Sequence, residues 1–424
     1  MEKIVQASIK RVVIACLDPD KRTNGKAVKY LLEKNISVSL GCKEFKAMEL
    51  IQGFTKRLNF KRPYIKSKIA SSLDSKISFV SSSDNCKAGP VSMDFSPVPI
   101  SLAPMAGVTD LAYRLLAREC GADFTVTEFT AASGLTRRNT YSWLKVETDP
   151  REAPFIPQIF GGDISEMAKT VEMLEDRADI IDINFGCPAP KVCRNDAGAA
   201  LLRDPDKVVN MVRRCISSTD VPISVKMRLG TGSGENTALE ISQRLAEEGV
   251  LRICVHGRTL RQRYSGTADW NQIKEISDSV DIPVIANGDV IDTYSAKACL
   301  QATGASGLMI GRGAIGRPTV FHEIKQGMGW SVGNPPWGEG SPSKARRWCW
   351  DRYLELSEEV FDESGGKNLK RHAVSFTKGL PGASAMRVRL HSIQDKEKLG
   401  DEVSRYLHNL EEDGTQSEIA SSNL

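Results

Sequence analysis

Eight short apolar runs alternate with amphipathic segments between residues 98 and 330, and this alternation constrains the fold more than any other feature. The runs lie at 100–105, 124–129, 155–160, 180–186, 223–229, 252–258, 283–289 and 307–313. Amphipathic stretches such as DPDKVVNMVRRCIS and NTALEISQRLAEEG separate them. Strands that alternate with helices predict βα units and a parallel sheet. Eight such units in roughly 230 residues match the size of a (β/α)8 barrel.

An open, doubly wound sheet would give the same alternation. It is disfavoured because no Gly-x-Gly-x-x-Gly motif follows the first predicted strand. We therefore predict an α/β protein whose residues 98–330 form a (β/α)8 TIM barrel. The Ser- and Pro-containing residues 81–97 predict a linker before it, and the Gly- and Pro-rich stretch 329–343 predicts a boundary after it.

The segment after the barrel is helical in pattern and predicts a small all-α domain over residues 341–412, followed by a disordered tail at 413–424. Its basic residues include Arg346, Arg347, Lys370, Arg371, Lys378, Arg387 and Arg389. Such charges usually form a solvated helix face, so composition alone supports phosphate contact only weakly. Residues 1–80 predict an α/β fragment in which RVVIACLD is typical of a strand.

Composition narrows the class of protein. Hydrophobic residues make up 41% and charged residues 26% of the chain, with a net charge of +4, as in ordinary globular proteins. The ten cysteines contain no Cys-x-x-Cys pair, which argues against a zinc site and a disulfide framework and favours a reducing cytoplasm. No apolar run is long enough to span a bilayer. We expect a cytoplasmic protein without a metal site or membrane segment.

Polar or unusual residues cluster where the predicted strands end. They are Met105, Glu128, Gln158, Asn184, Cys187, Lys226, Arg228, His256, Asn287 and Arg312. The C-terminal ends of barrel strands form one face, and active sites lie there. A single Asn or Gln in this position is as typical of a capped loop as of a ligand contact. Ten such residues on one face favour a functional site.

Two Gly-rich loops predict a phosphate site. ANGDV follows the seventh predicted strand and GRGAIGRP follows the eighth, where barrels commonly bind phosphate. Gly288, Gly311 and Gly313 would let backbone amides approach an anion, and Arg312 adds positive charge. The alternative is that these glycines serve only tight turns.

Other residues on this face suit a flat cofactor. Pro104, Met105 and Ala106 end the first strand and offer a small, soft surface for an aromatic ring. Gln158 and Lys226 could hydrogen-bond the polar edge of such a ring. The alternative for Lys226 is a salt bridge with a barrel carboxylate.

Cys187 lies between Gly186 and Pro188 at a strand end, whereas a structural cysteine favours the apolar middle of an element. Its thiol could act as a general acid, as a nucleophile with a histidine base, or as a buried structural group. His256 is the histidine of the barrel strands, so the sequence leaves a Cys–His pair open. Cys193 lacks disulfide or metal spacing to Cys187, and we interpret it as incidental.

The motifs LAPMAGVTDLAYRLLARECGA, PQIFGG, DINFGCPAPKVCRNDAGAALLRDP, VPISVKMRLG, VHGRTLRQRYSGTADW, PVIANGDV and GLMIGRGAIGRP occur in this order. Together with RHAVSFTKGLPGASAMRVRL near the C-terminus, they resemble the tRNA-dihydrouridine synthases. The resemblance covers residues 98–410 and is closest to the bacterial B-type, nitrogen-regulation-like branch.

This resemblance implies an FMN-bound barrel and a helical tRNA-binding domain, with no obligatory protein partner. The implied reaction reduces the C5–C6 bond of a tRNA uridine, with NADPH or NADH recharging the flavin. Cys187 would protonate C5 while hydride reaches C6, and the base would first be flipped out of the RNA. The implied FMN contacts are Pro104, Met105, Ala106, Gln158, Lys226, His256, Asn287, Gly288, Asp289, Gly311 and Arg312.

Residues 1–80 depart from that family and resemble a piece of the bifunctional riboflavin-biosynthesis deaminase/reductase. The deaminase zinc motif and nearly all of the reductase are missing. We expect this fragment to be non-catalytic, as a fusion remnant or a misjoined reading frame, with the synthase beginning near Met93.

Two other functions stay open at this point. One is an FMN-dependent barrel reductase of a free pyrimidine or another small molecule, which would have no use for the helical segment. The other is an RNA-binding protein that has lost catalysis, which Cys187, Lys226 and the phosphate loops disfavour.

Overall fold

The computed structural model describes residues 98–422 except 235 and 362–367, together with positions 5, 7, 9–14, 26–40, 70–71 and 77–78. The chain forms two compact units, Met1–Met93 and Asp94–Leu424. The predicted linker at 81–97 lies outside the described residues.

The described residues of the first unit form two small sheets. Strands β1 (Arg11–Ile14) and β2 (Ser37–Leu40) pair in parallel, and helix α1 (Lys26–Glu33) lies between them in the chain. Strands β3 (Ala70–Ser71) and β4 (Ile77–Ser78) pair in antiparallel fashion. The strand predicted in RVVIACLD is thus present over its first four residues, and the rest of that stretch lies outside the described residues.

The second unit is built on a nine-stranded parallel sheet. Its strands are β5 (Ile100–Leu102), β6 (Phe124–Thr125), β7 (Thr130–Ala131), β8 (Gln158–Phe160), β9 (Ile181–Phe185), β10 (Ile223–Arg228), β11 (Ile253–His256), β12 (Val284–Asn287) and β13 (Gly307–Ile310). The order across the sheet is β6-β5-β13-β12-β11-β10-β9-β8-β7. The two edge strands, β6 and β7, are neighbours in the chain, so the segment 124–131 closes the sheet into a barrel.

The second predicted strand, 124–129, is therefore divided between β6 and β7. The cause lies at Thr127, whose amide donates to the carbonyl of Ile156 at 3.1 Å while its hydroxyl accepts from the amide of Gln158 at 3.0 Å. A side-chain hydroxyl thus replaces a backbone acceptor and interrupts the ladder. The predicted (β/α)8 barrel is otherwise confirmed.

Helices follow the barrel strands on the outside. They are α2 (Leu111–Glu119), α3 (Ala132–Thr136), α4 (Thr140–Leu144), α5 (Ile164–Leu174), α6 (Pro190–Cys193), α7 (Pro205–Ile216), α8 (Ala238–Glu247), α9 (Trp270–Ser279), α10 (Thr293–Thr303) and α11 (Val320–Gly327). Aspartate side chains cap several of their N-termini by accepting early backbone amides, at Asp110, Asp163, Asp204, Asp269 and Asp292. The main apolar core lies between the sheet and these helices, and every residue of strands β9 to β13 is buried.

Four further helices lie in the described part of the second unit. These are α12 (Pro342–Val360), α13 (Leu369–Thr377), α14 (Ala383–Ser392) and α15 (Lys396–Ser422). They confirm the predicted helical region, and they pack on the barrel through α2 and through buried Trp350, Tyr353 and Phe376. Helix α15 continues to Ser422, into the segment predicted as a disordered tail, because propagating an anchored helix adds one hydrogen bond per residue. Among the described residues, no helix combines the length and apolar character needed to cross a membrane.

Candidate active site

A cavity of about 770 Å³ opens at the C-terminal ends of the barrel strands. This volume lies in the range of sites that bind small molecules and cofactors. Its lining includes every predicted site residue except Gln158: Pro104, Met105, Ala106, Cys187, Lys226, His256, Asn287, Gly288, Asp289, Gly311 and Arg312. Residues that are far apart in the sequence therefore meet because parallel strands end on one face.

One side of the cavity is apolar and comes from the loop after β5. Pro104, Met105 and Ala106 line it, and Ala103 below them is buried. Gly311 lies beside this surface: a Cβ at that position would be 3.8 Å from Met105 Sδ and 3.6 Å from Ala103 Cβ. Because Gly311 has no side chain, this apolar side of the cavity has room for a flat group.

The loop after β12 holds an unusual backbone. Gly288 has φ of +126° and Asp289 has φ of +60°, a left-handed conformation that non-glycine residues rarely adopt. Asp289 is held there by its carboxylate, which accepts from the amide of Ala268 at 2.7 Å and from Arg258 Nη2 at 2.8 Å. Its other oxygen accepts from Arg312 Nη2 at 3.0 Å. The carboxylate therefore fixes the loop and the Arg312 guanidinium.

Lys226 is a buried cation on β10. Its Nζ donates to Asn287 Oδ1 at 3.1 Å, and Asn287 Nδ2 in turn donates to the carbonyl of Met309 at 2.7 Å. Burial lowers the pKa of Lys226. Within the described part of the chain no carboxylate lies within salt-bridge distance of this ammonium group, although the charge of the buried Asp182 acts on it from farther away. A buried donor without an anionic partner fits a ligand that presents acceptor atoms.

His256 lies on the neighbouring strand, β11, and is 8% exposed. Burial, followed by the charges of nearby cations, lowers the pKa of His256 to about 2. The ring is therefore neutral at physiological pH. Its Nε2 lies 3.5 Å from Arg258 Nη1, and no hydrogen bond joins it to Cys187 among the described residues. This geometry does not favour a Cys–His nucleophile.

A turn after β9 presents Cys187. Asn184 Oδ1 accepts from the amides of Gly186 at 2.9 Å and Cys187 at 2.8 Å, which fixes the turn from inside. Gly198 has φ of +61°, and a Cβ there would lie 2.9 Å from the Cys187 carbonyl oxygen, so only glycine permits this approach. Cys187 is 6% exposed, and burial raises the pKa of its thiol. Cys187, which lines the cavity and also packs against Val192 and Ala197, therefore carries a protonated thiol on a fixed backbone.

Gln158, which the sequence predicts as a cofactor contact, is not among the residues that line the cavity. It is fully buried, and both ends of its amide are occupied: Oε1 accepts from Asn184 Nδ2 at 2.7 Å, and Nε2 donates to Asp182 Oδ2 at 2.7 Å. Ser224 donates to the other Asp182 oxygen, and burial raises the pKa of Asp182. Gln158 therefore orients Asn184, which holds the Cys187 turn, and its contact with a cofactor stays a prediction.

Arg228, Tyr264 and Phe129 also line the cavity, and of these three only Arg228 was among the residues noted at the predicted strand ends. Arg228 donates from Nε to the Gly186 carbonyl at 2.9 Å and from Nη1 to the Arg263 carbonyl at 2.7 Å, which ties the Cys187 turn to the loop after β11. The Tyr264 ring is 56% exposed. It lies 5.5 Å from the Arg228 guanidinium and 5.2 Å from that of Arg312. The signal for Arg228 was its position at a strand end, whereas Tyr264 lies in a loop without such a signal.

The family model and the similar proteins found by comparison agree on one family. Residues 101–412 match the family model described as "Dihydrouridine synthase (Dus)". A "Probable tRNA-dihydrouridine synthase" from Rhodobacter capsulatus is 40% identical over 228 residues, which cover 53% of this chain and 70% of that protein. A "tRNA-dihydrouridine synthase B" from Pseudomonas syringae pv. tomato is 36% identical over 297 residues, which cover 70% of this chain and 87% of that protein.

A second "tRNA-dihydrouridine synthase B", from Pseudomonas aeruginosa, is 33% identical over 324 residues and covers 75% of this chain and 96% of that protein. Among solved structures, nitroalkane oxidase from Streptomyces ansochromogenes aligns with a TM-score of 0.32 at 17% identity, covering 52% of this chain and 66% of that one. A likeness at that level carries no argument about function.

Proposed function

Because the chain belongs to the dihydrouridine synthase family, we propose that it reduces the C5–C6 double bond of a tRNA uridine, with Cys187 as the proton donor. It is a flavin-dependent oxidoreductase that forms dihydrouridine in tRNA. One observation carries the assignment of the donor: a buried cysteine on a fixed turn lines the same cavity as a buried lysine and two Gly-rich loops.

The cavity residues suit FMN as the cofactor. Its volume accommodates a ring system, and Lys226 provides a buried donor that has no carboxylate partner in the described chain. Pro104, Met105 and Ala106 would support the ring; Lys226, His256 and Asn287 would meet its polar edge; Gly288, Asp289, Gly311 and Arg312 would surround the phosphate. When bound, FMN supplies the hydride that reaches C6 of the base.

Cys187 has the properties of a general acid. Burial raises the pKa of the thiol, so the proton is present at neutral pH and can be transferred to C5. The residual 6% exposure lets solvent return the proton after each turnover. Arg228 and Asn184 hold the turn from two sides and keep the sulfur in one place.

The base must leave its stack to enter this cavity, because the reacting carbons of a paired or stacked uridine are inaccessible. We assign the holding of the folded tRNA to the helical region, α12 to α15. Lys378 is exposed there, and the Arg389 side chain is 64% accessible although it forms an ion pair with Glu402. Folded RNA is recognised largely through shape and phosphate contacts, which such side chains can make.

A reductant must recharge the flavin in each cycle, and NADPH, with NADH as the alternative, completes the proposal. We place the reaction in the cytoplasm, where a thiol donor stays reduced.

The test uses the full chain with FMN and NADPH, incubated with an unmodified tRNA transcript or with free uridine. The proposal predicts dihydrouridine in the tRNA, detected by mass spectrometry of nucleosides, and little turnover of free uridine. Equal turnover of free uridine would favour the alternative, a reductase of free pyrimidines. A chain that binds FMN but leaves every tRNA uridine unreduced would contradict the proposal.

A further inference from the structure

Two loops line the cavity on the side assigned to the cofactor, and one helix of the C-terminal region touches both. The first loop, 103–110, follows β5, and the second, 311–319, follows β13. The helix is α13, which carries Arg371, His372 and Ser375. Arg371 contacts Ala106, which lines the cavity, and Ser375 contacts Gly316, which adjoins the lining residue Ile315.

At the first loop, the contact is made by Arg371. Its Nη1 donates to the carbonyl of Ala106 at 2.8 Å, and Ala106 lines the cavity. Gly107 follows with φ of +71°, and a Cβ there would overlap the Arg371 guanidinium. A glycine is thus required both by the left-handed backbone and by the approach of the arginine.

The end of the same loop is fixed by Asp110. Its Oδ2 accepts hydrogen bonds from Tyr353 Oη, Asn368 Nδ2 and His372 Nε2, each at 3.2 Å. Its Oδ1 caps α2 by accepting from the amide of Tyr113 at 3.0 Å. Three donors from the helical region therefore converge on one buried carboxylate of the barrel.

The second loop is supported through Tyr113 and directly by α13. Tyr113 Oη donates to the Ala314 carbonyl and accepts from the Gly316 amide, and the His372 ring stacks on the Tyr113 ring with centroids 4.8 Å apart at 22°. Gly316 has φ of +70°, and a Cβ there would overlap the Ser375 carbonyl oxygen. Helix α13 therefore reaches the second loop by backbone-to-backbone contact.

We propose that α13 is part of the flavin site's architecture, and that Arg371 and His372 are positioning residues that hold the two loops in their binding conformation. This inference rests on the proposed function. Loops that lack this support would have to be ordered when the flavin binds, and that ordering weakens affinity. The helical region then serves cofactor binding as well as RNA binding.

The test compares Arg371→Ala and Arg371→Lys with Arg405→Ala, an exposed arginine of α15 that pairs with Glu402 inside the helical region. FMN is titrated into each full-length chain after its flavin has been removed, and the visible spectrum of the bound flavin is recorded. Loss of one charge-assisted hydrogen bond predicts about tenfold weaker FMN binding and an altered spectrum for Arg371→Ala. Arg371→Lys keeps a donor and should recover much of the affinity, and Arg405→Ala should match wild type.

Urea unfolding of the flavin-free chains shows whether each variant is folded under the titration conditions. Equal FMN affinity and identical spectra for wild type and Arg371→Ala would overturn the role of α13 while leaving the proposed function intact. A wild-type chain that takes up no FMN would instead overturn the proposed function, and this inference with it.

Discussion

Replacing His256 by Gln should remove a pH dependence of folding stability. Burial, followed by the charges of Lys226, Arg228, Arg258 and Arg312, lowers the pKa of the folded ring to about 2. The unfolded chain binds a proton on this ring near its ordinary pKa of about 6.5. Because the unfolded state then carries more protons, the wild type gains stability as pH rises and loses it as pH falls below about 6.5.

The size of the stability loss follows from how far the pH lies below the pKa of the ring in the unfolded chain. At pH 5 the ring is about 1.5 units below its unfolded pKa, and about 1.4 kcal/mol per unit gives about 2 kcal/mol of lost unfolding free energy relative to neutral pH. His256→Gln lacks the titrating group in both states. Its unfolding free energy should therefore fall by about 2 kcal/mol less than that of the wild type between pH 7.5 and pH 5.

Urea unfolding of the full chain at both pH values provides the assay, with His391→Gln in α14 as the matched control. The control should follow the wild type, because His391 is exposed and lies outside the cavity. If His256→Gln and wild type lost the same stability over this range, the ring would titrate alike in both states. The neutral imidazole in the cavity, and with it the argument against a Cys–His pair, would then fail.

Two further substitutions test the buried polar network. Gln158→Met leaves Asn184 Nδ2 and Asp182 Oδ2 without partners, which should lower the unfolding free energy by about 3 kcal/mol and reduce dihydrouridine yield more than FMN affinity. The matched control, Gln326→Met at an exposed position, should change neither the stability nor the yield. Wild-type stability of Gln158→Met would refute the stabilising role of this hydrogen-bond network. Glu152→Gln breaks a fully buried ion pair with Arg114 and should cost about 3 kcal/mol in urea unfolding, whereas Glu166→Gln, in an exposed pair with Arg137, should have no measurable effect. Equal stabilities of these two variants would contradict the role assigned to the buried pair.

The barrel was predictable because its strands are buried on both faces and therefore appear as nearly continuous apolar runs, as in β9 and β10. The division of the second strand could not be predicted, because it depends on the Thr127 hydroxyl accepting a hydrogen bond from the backbone amide of Gln158 on a different strand. Local sequence cannot show which partner a side chain finds across the sheet.

In the candidate active site, too, features set by local sequence were predictable and contacts between distant residues were not. The Gly-Cys-Pro turn and the Gly-rich loops were recognisable because their backbone requirements are local. Gln158 was predicted as a cofactor contact from its position at a strand end, but Asn184 and Asp182 on β9 occupy both ends of its amide. The approach of Arg371 to Ala106 joins residues 265 positions apart, so no sequence pattern announced it.

The central claim is that Cys187 delivers the proton to the base. The most direct measurement compares Cys187→Ala with Cys193→Ala for two quantities: NADPH oxidation by the flavin-bound chain, and dihydrouridine formed in a tRNA transcript. For Cys187→Ala, we predict that FMN stays bound and NADPH oxidation persists, while dihydrouridine formation falls about 100-fold. Cys193→Ala should retain both: its thiol donates to the Cys187 carbonyl at 3.6 Å, but Asn184 and Arg228 still hold the turn. A wild-type yield of dihydrouridine from Cys187→Ala would contradict the account.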